Sequence, residues 1–133
     1  MHRDFARDFD SLTALYRFAE DILAANGISE AVRFPVHLAL EELFTNMVKY
    51  SPEANSDIGV DVEVDGGAVT VTLSEDDVDE FDVSRPRDVD TSAPLSERTP
   101  GGLGLFLLHN LVDRLEYNYR DRRSSVIFTK GSG

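Results

Sequence analysis

The chain contains no cysteine, and only 13 of its 133 residues are lysine or arginine. Without cysteine there are no disulfides, no thiol nucleophile and no cysteine-ligated zinc. With 25 acidic residues against those bases the net charge is −12 at pH 7, which argues against general affinity for nucleic acid or for an anionic membrane. No apolar run approaches the ~18 residues that a membrane span requires. Met1-His2-Arg3-Asp4 opens no apolar leader, so a cytoplasmic location is expected. The three histidines, His2, His37 and His109, stand at no metal-ligand spacing. There is no Gly-x-Ser-x-Gly elbow to anchor a hydrolase triad. What is present is 41% hydrophobic residues, too many for a disordered acidic chain. The length suits one domain with a core of its own.

Periodicity divides the chain. His2 to Phe9 reads as a short edge strand or a loose arm. From Ser11 to Asn26, Leu12, Leu15, Tyr16, Ala19, Ile22 and Leu23 recur at helical spacing, and Gly27 stands where a helix stops. Ser29 opens a second helical region, in which Pro35 fits a first-turn position and Val36 to Tyr50 form the helix proper. Ile58, Val60, Val62 and Val64 then alternate with polar residues, Asp65-Gly66-Gly67 turns the chain, and Val69, Val71 and Leu73 alternate again as a hairpin. Residues 75–100 lack periodicity and hold three of the five prolines; a loop of this length in a compact domain is usually functional or disordered. Leu105 to Val112 reads as an apolar helix, Leu115 to Tyr119 and Val126 to Thr129 as strands joined by a turn over Asp121 to Ser124, and 131–133 as a flexible tail. Strands in adjacent pairs, with helices outside them, give an α+β two-layer sandwich, its mostly antiparallel sheet covered by helices on one face.

Three segments carry candidate chemistry. Glu42, Asn46 and Lys49 share one helix face. An amide oxygen suits a hard cation, an ammonium offsets phosphate charge, and a carboxylate can take a proton from an attacking hydroxyl; a solvated Glu–Lys face is the simpler alternative. Gly101-Gly102-Leu103-Gly104-Leu105 precedes a helix, where small residues and free amides can approach a phosphate; a hinge with a helix cap is the other reading. The run is neither a P-loop nor a dinucleotide fingerprint. Glu75-Asp76-Asp77 closes the second hairpin strand, where a carboxylate can accept from the exocyclic amine of a base, or where the acids are simply solvated. An EF-hand is disfavoured because its turn glycine is missing.

In this order the three segments resemble the GHKL ATPases, and among them the small bacterial anti-sigma-factor serine/threonine kinases. Glu42-Leu-Phe-Thr-Asn46-Met-Val-Lys49-Tyr50 is similar to the family's N box, and Gly101-Gly102-Leu103-Gly104-Leu105 to its second glycine box. The resemblance implies a Bergerat-type, histidine-kinase-ATPase-like fold over 1–133, with a lid at about 75–100, binding ATP and Mg2+. It implies Glu42 as catalytic base and Asn46 as magnesium ligand, with Lys49 and Tyr50 near the phosphates. Asp76 would take the adenine amine, Gly101, Gly102, Leu103 and Gly104 would cradle the phosphates, and Arg98 would reach the terminal phosphate. The partners implied are a sigma factor and an anti-sigma antagonist protein, with transcription regulated by partner switching and a homodimer as one assembly. Phe81-Asp82 sets the register of the adenine segment, and in that register Val78 stands where the family has glycine. That departure, within an acidic loop, motivates the alternative of a non-catalytic sigma-factor or antagonist binding module with a degenerate nucleotide site.

Overall fold

The computed structural model describes residues 1–50, 56–78 and 108–131, with Tyr50 described by its backbone. Strand β1 is His2–Phe5, helix α1 Leu12–Ala25, helix α2 Glu30–Tyr50, strands β2 and β3 Ile58–Asp65 and Ala68–Glu75, and strands β4 and β5 Arg114–Arg120 and Arg123–Lys130. A 3₁₀ turn, Phe9–Ser11, leads into α1, and residues 108–111 are helical. Residues 79–100 of the lid expected at about 75–100, and most of the helix from Leu105, lie outside the described residues.

The five strands form one sheet in the order β1-β2-β3-β5-β4. Every pairing is antiparallel. Alternation decides its two faces. Val60, Val62, Val69, Val71, Leu73, Val126 and Phe128 are buried, and their cross-strand partners are in register: Val60 opposes Leu73, Val71 opposes Phe128 and Leu73 opposes Val126. The intervening residues, Thr70, Thr72 and Glu63 among them, form the wetter face. Leu15, Ala19 and Leu23 of α1 and Val36, Leu40, Leu43, Phe44 and Met47 of α2 share one core with the buried strand residues. Phe5 stands edge-on to Phe18 and Phe44, with centroids 5.6 and 6.4 Å away, and so ties the edge strand to both helices. Each such ring contributes about 1.5–3 kcal/mol by burial.

The β2–β3 turn follows from Gly66 and Gly67, which both take positive φ, 57° and 89°, as a hairpin turn with the twist of its strands requires. The β4–β5 turn uses Asp121 and Arg122, at φ 52° and 65°. It is one residue pair, tighter than the expected Asp121–Ser124 span, because Arg120 pairs with Arg123 and β5 begins there.

Helix α2 differs from its expected start. Pro35 lies inside it, as the sixth residue counted from Glu30, rather than in a first turn. Proline lacks the N–H that would bond the carbonyl four residues back. The turn before it is held by tertiary contacts: Val32 and Val36 are buried, and Arg33 Nη1 donates to Glu20 Oε1 of α1 at 2.8 Å. Gly131, expected to be loose, donates its N–H to Asp113 Oδ2 at 2.7 Å. Among the described residues no helix is long and apolar enough to cross a membrane.

Candidate functional site

The site is built on the last two turns of α2. Leu43, Phe44 and Met47 anchor these turns in the core, which turns Glu42, Asn46 and Lys49 toward a neighbouring side of the helix. Asn46 is 2% exposed. Its Nδ2 donates to the carbonyl of Glu42, one turn earlier, at 2.8 Å, which fixes the amide's orientation and leaves Oδ1 as its acceptor end. An oriented, buried amide oxygen has the donor chemistry a hard divalent cation requires. The Glu42 carboxyl is half-buried. Burial pushes its pKa above the ordinary glutamate value, the charge of Glu41 pushes the same way, and Lys49 opposes them. Lys49 therefore shares the electrostatic neighbourhood of Glu42, as the helical spacing predicts.

Asp76 lies just past the end of β3. Its side chain is exposed, and Oδ1 accepts from Arg123 Nη1 at 2.7 Å. Asp77 takes φ 56° and accepts from Arg122 Nε at 2.9 Å. Val78 is 4% exposed, its N–H donating to the Arg122 carbonyl at 3.0 Å and its carbonyl accepting from the Tyr119 hydroxyl at 2.7 Å. The left-handed residue of this segment is thus Asp77, and Val78 needs no positive φ.

The structure holds Glu42, Asn46 and Lys49 close along α2, and the Asp76 backbone is linked to the Met47 carbonyl of α2 through Ser56 and Arg7. Arg98, Gly101, Gly102, Leu103 and Gly104 lie outside the described residues, as does the side chain of Tyr50. A groove of about 580 Å³ runs between α1 and the first half of α2; it is lined by Tyr16, Phe34, His37 and Glu41 but by none of Glu42, Asn46 or Lys49. Within it Glu20 pairs with Arg33 and with His37, and it shares no lining residue with the Glu42, Asn46 and Lys49 face.

The burial of Glu75 and its pairing with Arg7 were not read from the sequence. Glu75 is buried, and Arg7 holds it with Nη1 at 2.8 Å from Oε1, the two side chains being 2% and 6% exposed. Burial pushes the Glu75 carboxyl upward more than Arg7 pulls it down. The signal was available in the strand's alternation. Val69, Val71 and Leu73 face the helices, so Glu75, next in that series, must face them as well, and a carboxylate there requires a partner.

A family model described as histidine kinase-like ATPase domain matches residues 5–130. The crystal structure of the RsbU and RsbW domains of Rv1364c from Mycobacterium tuberculosis is similar in fold, with a TM-score of 0.70 and 15% identity, over 98% of this chain and 32% of that one. This chain thus spans about a third of that protein's crystallised length. No curated protein matches the chain. With the α2 site, the antiparallel sheet and a family match over nearly its whole length, the chain belongs to the histidine kinase-like ATPase domain family.

Proposed function

We propose that the protein is an anti-sigma-type serine/threonine kinase of the cytoplasm, which binds ATP with magnesium and phosphorylates a small antagonist protein. The observation that carries this reading is the Glu42–Asn46 pair. A carboxyl with a raised pKa stands one turn before a buried amide whose orientation the helix itself fixes. In this reading Glu42 accepts the proton of the antagonist's serine hydroxyl as its oxygen bonds to the γ-phosphorus. The bond from that phosphorus to the β–γ bridging oxygen breaks, and ADP leaves with the electron pair. A base whose pKa is raised toward the working pH transfers protons more effectively. Asn46 would hold magnesium, which when bound offsets the charge of the phosphates. Lys49, Tyr50, Arg98 and the Gly101–Gly104 amides would hold the phosphates, and Asp76 would accept from the adenine amine.

Calorimetric titration with ATP–Mg, beside phosphoryl transfer to a cognate antagonist, tests the proposal. Wild type binds below millimolar. Asn46→Ala loses magnesium-dependent affinity. Glu42→Gln keeps affinity and loses roughly 10²–10⁴ in transfer rate, the usual contribution of a general base. Unchanged transfer in Glu42→Gln removes the base assignment.

A second reading has its own support. Val78 fills a buried position where the family has glycine, and the acids beside it are already paired with Arg122 and Arg123. These features suit a module that sequesters a sigma factor or antagonist without using nucleotide. Absence of ATP binding at millimolar concentration, with the partner still bound, selects it.

A further inference from the structure

Arg7 follows β1 and reaches three other parts of the fold. Its Nη1 donates to Glu75 Oε1 at 2.8 Å and to the carbonyl of Met47 at 3.1 Å. Nε donates to the carbonyl of Ser56 at 3.2 Å, and Nη2 to Ser56 Oγ at 3.4 Å. Ser56 Oγ in turn donates to the carbonyl of Asp76 at 2.7 Å and accepts from its N–H at 3.3 Å. That uses the whole capacity of a hydroxyl, one donor and two acceptors.

These bonds join two points that matter for nucleotide binding. Met47 follows Asn46 directly, and its carbonyl is among the last four of α2, which no later helical N–H satisfies. Arg7 caps it with a cation, at the helix end that favours one. At the other end of the chain of bonds stands the backbone of Asp76. Stability alone does not call for this arrangement, because a buried ion pair seldom outperforms apolar side chains of similar volume. A guanidinium differs from any apolar group in its rigid fork of donors, which reaches several acceptors in fixed directions.

We infer that Arg7 and Ser56 are positioning residues that set Asp76 at a fixed distance from Asn46, and so place the base-recognising carboxylate relative to the phosphate end of the site. The inference rests on the proposed nucleotide reading. Neither residue touches nucleotide; both act through Asp76. Adenine offers an amine to a carboxylate where guanine offers a carbonyl, so a displaced Asp76 costs discrimination between the two bases before it costs affinity for their shared phosphates.

The experiment measures ATP–Mg and GTP–Mg affinities by calorimetry, and thermal midpoints by circular dichroism, for wild type, Ser56→Ala and the double variant Arg7→Met with Glu75→Met. The double variant removes both buried charges together, so it keeps its fold while losing the fork. Both variants are expected to weaken ATP by roughly 10- to 100-fold, the cost of a small misplacement, with GTP weakened much less, so that the ATP-to-GTP ratio falls toward one. A folded variant that keeps the wild-type ratio overturns the inference. Should the double variant fail to fold, Ser56→Ala, which changes no charge, decides by the same ratio. Wild type that binds neither nucleotide overturns the proposed function and this inference together. Wild type that prefers ATP, with an unchanged ratio in the folded variants, overturns the inference alone.

Discussion

Glu42 shows how a helix face becomes a chemical site. Its carboxyl titrates above the ordinary range because burial disfavours the charged form, with Glu41 adding to the shift and Lys49 subtracting from it. A base must be deprotonated to act, so a raised pKa moves the acid limb of a rate profile to higher pH. Glu41 is exposed and outside the proposed machinery. Glu41→Gln removes one upward push and is expected to lower the Glu42 pKa, by a modest amount because solvent screens exposed charges. Carbon-detected NMR titration of the Glu42 carboxyl measures this without any substrate, and an unchanged or higher midpoint would contradict the electrostatic account. At this scale the sequence was readable where chemistry follows helical spacing, as for Glu42, Asn46 and Lys49. It was not readable at the adenine segment. Family register places the special residue at 78, whereas the left-handed conformation falls on Asp77, a residue type that tolerates it. The bond that Val78 donates to the Arg122 carbonyl and the one it accepts from the Tyr119 hydroxyl, 41 and more residues away in sequence, set its backbone.

Among the elements, α2 has the least favourable local sequence. Pro35 interrupts its hydrogen-bond ladder at the carbonyl of Ala31, yet the helix runs from Glu30 to Tyr50, because Val32 and Val36 bury on either side and Arg33 pairs with Glu20. Pro35→Ala is expected to stabilise the protein by about 1–2 kcal/mol. A proline in a helix interior costs about 3 kcal/mol relative to alanine, part of which returns through the greater freedom of the unfolded alanine chain. Urea denaturation reads the gain, and a lower midpoint would show that Pro35 supplies packing that outweighs the lost bond. The strands were legible for the opposite reason, since local and tertiary preferences agree there. Val60, Val62 and Val64 alternate across from Val69, Val71 and Leu73, and Gly66-Gly67 has the turn chemistry to join them. The Arg7–Glu75 latch was not legible as a pair, since 68 residues separate its members. Alternation marks Glu75 as inward-facing but cannot name what meets it.

Over the whole molecule the charge of −12 is the dominant electrostatic fact. Residues 75–90 alone hold eight acids against two arginines, half of the net charge. The structure neutralises the start of this segment with the β4–β5 turn, where Arg123 meets Asp76 and Arg122 meets Asp77. With 25 acids and 13 bases, however, one-to-one pairing leaves 12 carboxylates without a basic partner. Folding confines the surplus to a small surface, and unfolding lets it spread, so like-charge repulsion favours the unfolded chain. Salt screens that repulsion. It also weakens the exposed ion pairs, but each of those contributes only about 0–1 kcal/mol, whereas repulsion sums over every unpaired acid. Raising NaCl from about 0.01 M to about 0.15 M shortens the Debye length from about 30 Å to about 8 Å. The thermal midpoint at pH 7 is therefore expected to rise over that interval. The dependence should shrink toward the isoelectric pH of about 4.5, where the net charge that drives it disappears. A midpoint that falls with salt at pH 7 would mean that the ion pairs, those of Arg122 and Arg123 included, outweigh the field of the whole molecule. The acidic strand end would then be held chiefly by its basic turn.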